Sequence, residues 1–231
     1  MANQNLGQEE LDKILRAHQT WLESDEREGA CANLTDARLR YADFRAANLD
    51  RARLVGAQFR SAHMNDVSLK NASLETADLS SANLSGSYFT NADLSGAILK
   101  LARLEKVDLR GARMKEIRAG RAVFVHCLLE RADLSMAFLD QTNFQGAFLS
   151  NTTLRGSTAH HANFQGARVV SSDLRGVILN NANLKYAVFT NTDLRDANLF
   201  EADLQYADLR GAKLDGAILD GANMRDAIFE D

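Results

Sequence analysis

The sequence predicts an all-β solenoid with an α-helical cap at its N-terminus, and three observations predict it. From Leu34 to Phe229 every fifth residue is large and apolar; of these 40 centres 26 are Leu, 8 are Phe and 3 are Met, and only Ala119, Ala159 and Val169 depart. No proline occurs in 231 residues. The first thirty residues stand outside the repeat and carry a helical rhythm of their own. The expected division is a capping helix in 1–30 and a repeat domain in 31–231.

A period of five matches neither the 3.6 of a helix nor the 2 of a half-buried strand. A strict short period marks a solenoid, whose units bury their apolar faces only against neighbouring turns of the chain. In Ala77-Asp78-Leu79-Ser80-Ser81, residues 77 and 79 are two apart and point to one side of an extended backbone. The residue two before each centre is accordingly small, Ala at 29 of the 40. The remaining positions face outward or form corners, where Gly56, Gly96, Gly156, Gly176 and Gly216 suit a positive φ. Coils that hydrogen-bond above and below leave no N–H to spare, which excludes proline. The 45% hydrophobic content fills a core in which each inward Leu or Phe contributes roughly 1.5–3 kcal/mol.

Units such as Ala92-Asp93-Leu94-Ser95-Gly96 and Ala202-Asp203-Leu204-Gln205-Tyr206 resemble the consensus of the pentapeptide-repeat family. The resemblance runs over the whole repeat. It implies a right-handed quadrilateral β-helix with four units per coil, hence the ten coils. At a ladder spacing of about 4.8 Å the rod is roughly 48 Å long.

In the leading segment Leu11, Ile14, Leu15, His18, Trp21 and Leu22 fall on one stripe of an amphipathic helix. Gly29 is the expected stop. The helix is read as the cap of the first coil, with Trp21 and Leu22 on the end of the core; a docking or dimerising helix is the other reading. No signal-peptide pattern and no apolar run near 18 residues occurs, so a cytoplasmic protein away from membranes is expected. Asn71, Asn91, Asn151 and Asn191 share one column, and Asn143, Asn163 and Asn183 another; both are expected to stack as amide ladders.

Near 114–130 the pattern is least regular. Ile117 takes a small position and Ala119 a large one, an exchange that conserves core volume. Val123, Val125 and Leu128 follow at outward positions beside Arg118 and Arg121. With Phe138 and Phe148 on faces expected to be adjacent, they form a candidate partner surface. The last units present Ile218, Met224, Ile228 and Phe229. A two-fold, tail-to-tail homodimer is the expected closure of that edge.

The net charge of −4 hides a gradient. Residues 31–130 carry 15 basic and 11 acidic side chains, whereas 131–231 carry 9 and 13. The resemblance raises one activity, that of quinolone-resistance-like proteins, which imitate DNA toward a type II topoisomerase such as gyrase. Only the acidic end approaches the charge density this requires. A pI near 5.8 argues against direct nucleic-acid binding. Cys31 and Cys127 lie too far apart along the rod for a disulfide. No cofactor motif, metal spacing or catalytic constellation appears, and a Leu-filled rod offers no substrate cavity. The expected function is a non-enzymatic scaffold for another protein, with gyrase modulation as the alternative.

Overall fold

The computed structural model describes residues 6–229. One helix, α1 (Gln8–Glu23), precedes the repeat. Parallel bridges then join each outward residue to the one twenty later, without a break from Asn33↔Arg53 to Asp208↔Ile228. Each coil is therefore four five-residue units. The bridges are isolated; among the described residues no run of strand joins them.

Three backbone bonds tie a unit to the coil above and below. For the unit centred on Leu54, the Leu54 N–H donates to the Ser73 carbonyl (2.7 Å), Gly56 N–H to Glu75 (2.9 Å) and Arg53 N–H to Ala32 (2.9 Å). A fourth, Ala57 N–H to Leu54 (3.0 Å), closes the corner. A proline at any of these four positions would lose its donor, which bars it from them.

The core holds the centres and the small residues, nearly all fully buried. Phe124, Phe144 and Phe164 stack directly, with ring centroids 5.0 and 4.8 Å apart. Ile117 and Ala119 both point inward and are fully buried, as their volume exchange predicts. Most hydroxyls at the small positions are satisfied by the coil before: Thr152 Oγ1 donates to the Leu129 carbonyl (2.9 Å) and Thr142 Oγ1 to Ala119 (3.0 Å), whereas Ser157 Oγ donates within its own turn to Leu154 (2.7 Å). Ser87 Oγ donates to Met64 (2.7 Å) and accepts from Val67 N–H (3.2 Å), bridging a corner. Cys127 makes the equivalent contact to Leu104, and burial pushes its thiol up to about 12.

At every corner the second turn residue is left-handed, from Asp36 (φ 55°) to Asp226 (φ 58°). The i→i+3 bond and the single positive φ match a type II turn. Asn71, Asn91, Asn151 and Asn191 sit at this position, with φ of 57–58°. Their shared column reflects Asn's tolerance of the left-handed region, not the amide ladder expected of them. Asn143, Asn163 and Asn183 do form a ladder, the Nδ2 of Asn163 donating to Asn143 Oδ1 and that of Asn183 to Asn163 Oδ1, both at 3.1 Å.

The Asp or Asn before each centre has a local task. Its Oδ1 accepts from the backbone N–H two residues on, as Asp93 does from Ser95 (2.9 Å) and Asn163 from Gln165 (3.1 Å). This Asx bond fastens the corner. Where Arg follows the centre, the same carboxylate also takes its guanidinium: Asp193 accepts from Arg195 Nε at 2.9 Å and Nη2 at 2.6 Å. Asp43, Asp108, Asp173 and Asp208 repeat the pair with Arg45, Arg110, Arg175 and Arg210.

Helix α1 rests on the core through Leu11, fully buried, and through half-buried Ile14 and Leu15. Trp21 and Leu22 do not join that cluster, contrary to expectation. Trp21 stacks on His18 at 5.5 Å and lies under the Arg51 guanidinium at 4.8 Å. The inward residue is His18, wholly buried, whose Nδ1 accepts from Ala32 N–H at 3.0 Å. The helix ends at Glu23, short of Gly29. Gly29 instead lets the chain return against α1: at φ 76° a Cβ there would lie 2.3 Å from the Ala17 carbonyl oxygen, and Ala30 N–H bonds that carbonyl at 3.1 Å.

Two outcomes are expected. Burial lowers the His18 pKa from 6.5, against the opposing pull of Asp50. A depressed value means that the neutral ring's contribution is present above pH 6.5 and lost as pH falls below it, because protonated Nδ1 no longer accepts from Ala32. Trp21 fluorescence should report α1 loosening in mild acid, and His18→Asn should abolish that transition. The Asp193 carboxyl is held at about 2 by Arg195. The pair contributes above pH 4 and is lost as pH falls through 2, by little, since it faces solvent. In a carboxylate NMR titration Arg195→Ala should return Asp193 toward 3.8.

Candidate interaction surface

The register of twenty decides which side chains share a face. Phe138 bridges Arg118 and Thr158, while Phe148 bridges Leu128 and Arg168. These columns stand ten residues apart in a coil of twenty, so each is two units from the other in both directions. They lie on opposite sides of the rod, not on adjacent faces as expected. The candidate surface therefore separates into two.

One part wraps a corner. Val123, Val125 and Leu128 follow one another around it, with Phe148 stacked on Leu128 in the next coil. Val123, Val125 and Leu128 are half-buried, not fully outward; Phe148 is 39% exposed. Beside them an open cleft is lined by Ser85, Gly86, Glu105, Lys106 and His126. The other part is the Phe138 face. Phe138 is 51% exposed between Arg118 and Thr158. Arg121, on the corner beyond it, donates from Nε to Gln141 Oε1 at 2.7 Å.

Several exposed side chains escaped the sequence reading. Leu101 and Met136, 49% and 53% exposed, flank the Phe138 face. Tyr186 and Tyr206 stack at 5.0 Å and 4° on another corner. All four occupy the left-handed position. Bulky residues where Asp, Asn or Gly suits the backbone are the signal that would have found them.

In the last described coil the inward side chains are only partly covered: Leu214, Leu219 and Met224 are half-buried, whereas their counterparts Leu194, Leu199 and Leu204 are 1% exposed. Ile218, Ile228 and Phe229 are exposed.

Charge is spent locally. Around the Arg155, Arg175 and Arg195 column, Arg175 pairs with Asp173 and Arg195 with Asp193. Toward the acidic end Lys185 reaches Asp203 at 3.0 Å and Arg225 reaches Asp226 at 3.3 Å. Among the described residues Asp196, Glu201, Asp215 and Asp220 have no ion pair. No group of three or more His, Cys, Asp or Glu among them is arranged to hold a metal, and no helix is long and apolar enough to cross a membrane. Cys31 and Cys127 are both free.

Comparison with solved structures gives HetL, a pentapeptide repeat protein involved in heterocyst differentiation regulation in the cyanobacterium Nostoc sp. strain PCC 7120. It is 28% identical with a TM-score of 0.67, over 98% of this chain and 97% of that one. A pentapeptide repeat protein from the Arabidopsis thaliana thylakoid lumen is 29% identical over 38% of this chain and 62% of its own, with a TM-score of 0.38. Trypsin-treated QnrB1, a plasmid-mediated fluoroquinolone resistance protein, is 21% identical over 81% and 91%, with a TM-score of 0.46. No curated protein matches the chain. The likeness to HetL implies a right-handed β-helix solenoid. The model for pentapeptide repeats matches eight copies, over residues 30–66, 77–115, 108–146, 122–158, 160–196 and 192–231. With that repeat running through its coils, the chain belongs to the pentapeptide-repeat family.

Proposed function

We propose that the chain is a non-enzymatic, rigid scaffold that presents the Val123–Val125–Leu128–Phe148 corner to another protein. The observation that carries this reading is the placement of four apolar side chains around one corner of a rod whose other outward positions are mostly polar. The likeness to HetL, itself described as involved in regulation, supports a regulatory role over a catalytic one. The finer architecture belongs to the same proposal: ten quadrilateral coils over 31–231, closed at one end by α1 as a cap. Two free cysteines suit the reducing cytoplasm. A tail-to-tail dimer through Ile218, Met224, Ile228 and Phe229 would cover the half-buried Leu214 and Leu219.

Imitation of DNA toward a type II topoisomerase is the second reading. The unpaired Asp196, Glu201, Asp215 and Asp220 favour it. Asp193, Asp203 and Asp208 count against it, each being neutralised by its own cation.

The test is affinity capture with wild type and with a Val125→Asp, Leu128→Asp double variant, checked for folding by circular dichroism. The variant should lose at least tenfold in partner affinity, about 1.4 kcal/mol. Undiminished capture sinks the corner. DNA gyrase supercoiling should proceed unchanged in the presence of the protein; inhibition, or protection from a quinolone, would move the balance to the second reading.

A further inference from the structure

We propose that the Phe138 face is a self-association surface on which a second copy of this chain lies antiparallel. The column runs from Arg38 to Ile218. Three of its four apolar members are placed symmetrically, with Ile98 and Ile178 each forty residues from Phe138, while the fourth, Ile218, falls level with Gln58. A two-fold axis through Phe138 sets Phe138 against its own equivalent and Ile98 of one copy against Ile178 of the other. Met136, exposed on the flanking corner, also meets its equivalent. An isologous interface requires this kind of self-complementarity.

Charge fixes the direction. Arg38, Arg40 and Arg118 stand toward one end of this face and its flanking corners, exposed and without an ion pair among the described residues. Toward the other end, Glu201 and Asp220, on the corner that carries Arg40, are exposed and likewise unpaired, whereas the opposite flanking corner, with Asp36 at the first end and Arg155 beyond Met136, has no such gradient. A parallel copy sets like charges together. The antiparallel copy brings the corner with Arg40 and Arg60 to the level of Asp220, and electrostatic complementarity of this kind selects orientation. Arg60 is partly committed to Asp78 at 2.9 Å, which leaves Arg40 as the freer group. With the axis through Phe138 the two columns overlap from Gln58 to Ile218, eight coil steps of about 4.8 Å, so a strip about 21 Å wide reaches the roughly 800 Å² per partner of a standard interface. An unrelated partner would have to carry both the apolar spacing and a reversed charge gradient; a second copy carries both already.

The experiment is sedimentation equilibrium of the full chain, in a Cys31→Ser background. The expected mass is twice 25.4 kDa. Phe138→Glu should raise the dimer dissociation constant at least tenfold while leaving the circular-dichroism spectrum unchanged, since Phe138 is exposed. Arg40→Glu and Asp220→Lys should each weaken the dimer, more so at low salt, and together restore it. Phe138→Cys should cross-link under mild oxidation. A wild type that stays monomeric at 100 μM (about 5.5 kcal/mol of association) overturns the proposal. So does a dimer indifferent to Phe138→Glu that cross-links through Ile228→Cys, which would place the contact at the tail. The Val125→Asp, Leu128→Asp variant should dimerise normally, so this face and the partner corner fail or stand separately.

Discussion

The structure depends on one backbone constraint: each unit bonds to the units twenty residues before and after it. That ladder repeats every five residues and absorbs the donors and acceptors of three positions per unit. The corner between ladders is narrow, and its geometry is left-handed at every turn. Each non-glycine residue held there costs on the order of 1 kcal/mol or more, so the ladder must over-determine the corners. The core fits the same spacing. Rings stacked near 4.8 Å and buried hydroxyls reaching back to the previous coil are both consequences of a fixed rise.

The side chains before the centres extend this logic to the surface. An Asp there first holds its own corner, and then, where Arg follows, neutralises that Arg. Charged residues counted along the chain therefore overstate the field of the rod. Thr, Tyr and Phe at the same position lack such an oxygen or hold the bond poorly, as the 3.4 Å contact from Arg155 N–H to Thr153 shows. Where outward apolar residues replace Asp and Asn, as at Phe138 and Phe148, a corner gives up its Asx bond and gains contact area instead. These departures from the local rule mark the candidate surfaces.

Most of the fold was legible because a strict period of five marks a solenoid and the family resemblance implied four units to a coil. The inward pair, the Ile117–Ala119 exchange, the absence of proline and α1 with Leu11, Ile14 and Leu15 all follow from spacing alone. The site was less legible. Phe138 and Phe148 were grouped by a miscount around a coil already expected to hold four units, since ten residues in twenty is half a circuit and sets them on opposite sides. Trp21 and Gly29 were misplaced because an apolar stripe does not say which of its members reaches the core; the chain's return at Gly29 put His18 there. Leu101, Met136, Tyr186 and Tyr206 were passed over because a turn residue reads as filler unless its φ is known.

The shared register also governs how such a molecule can change in length. Inserting a whole circuit of twenty residues lengthens the rod and keeps every column aligned. Inserting a single unit of five leaves the core equally well filled, yet advances all that follows by a quarter of the circumference. Phe138 would then look out where Asn143 does now. Surface chemistry on one side of the insertion would be redirected wholesale against the other with no core side chain exchanged, so new faces can be composed here by phase alone.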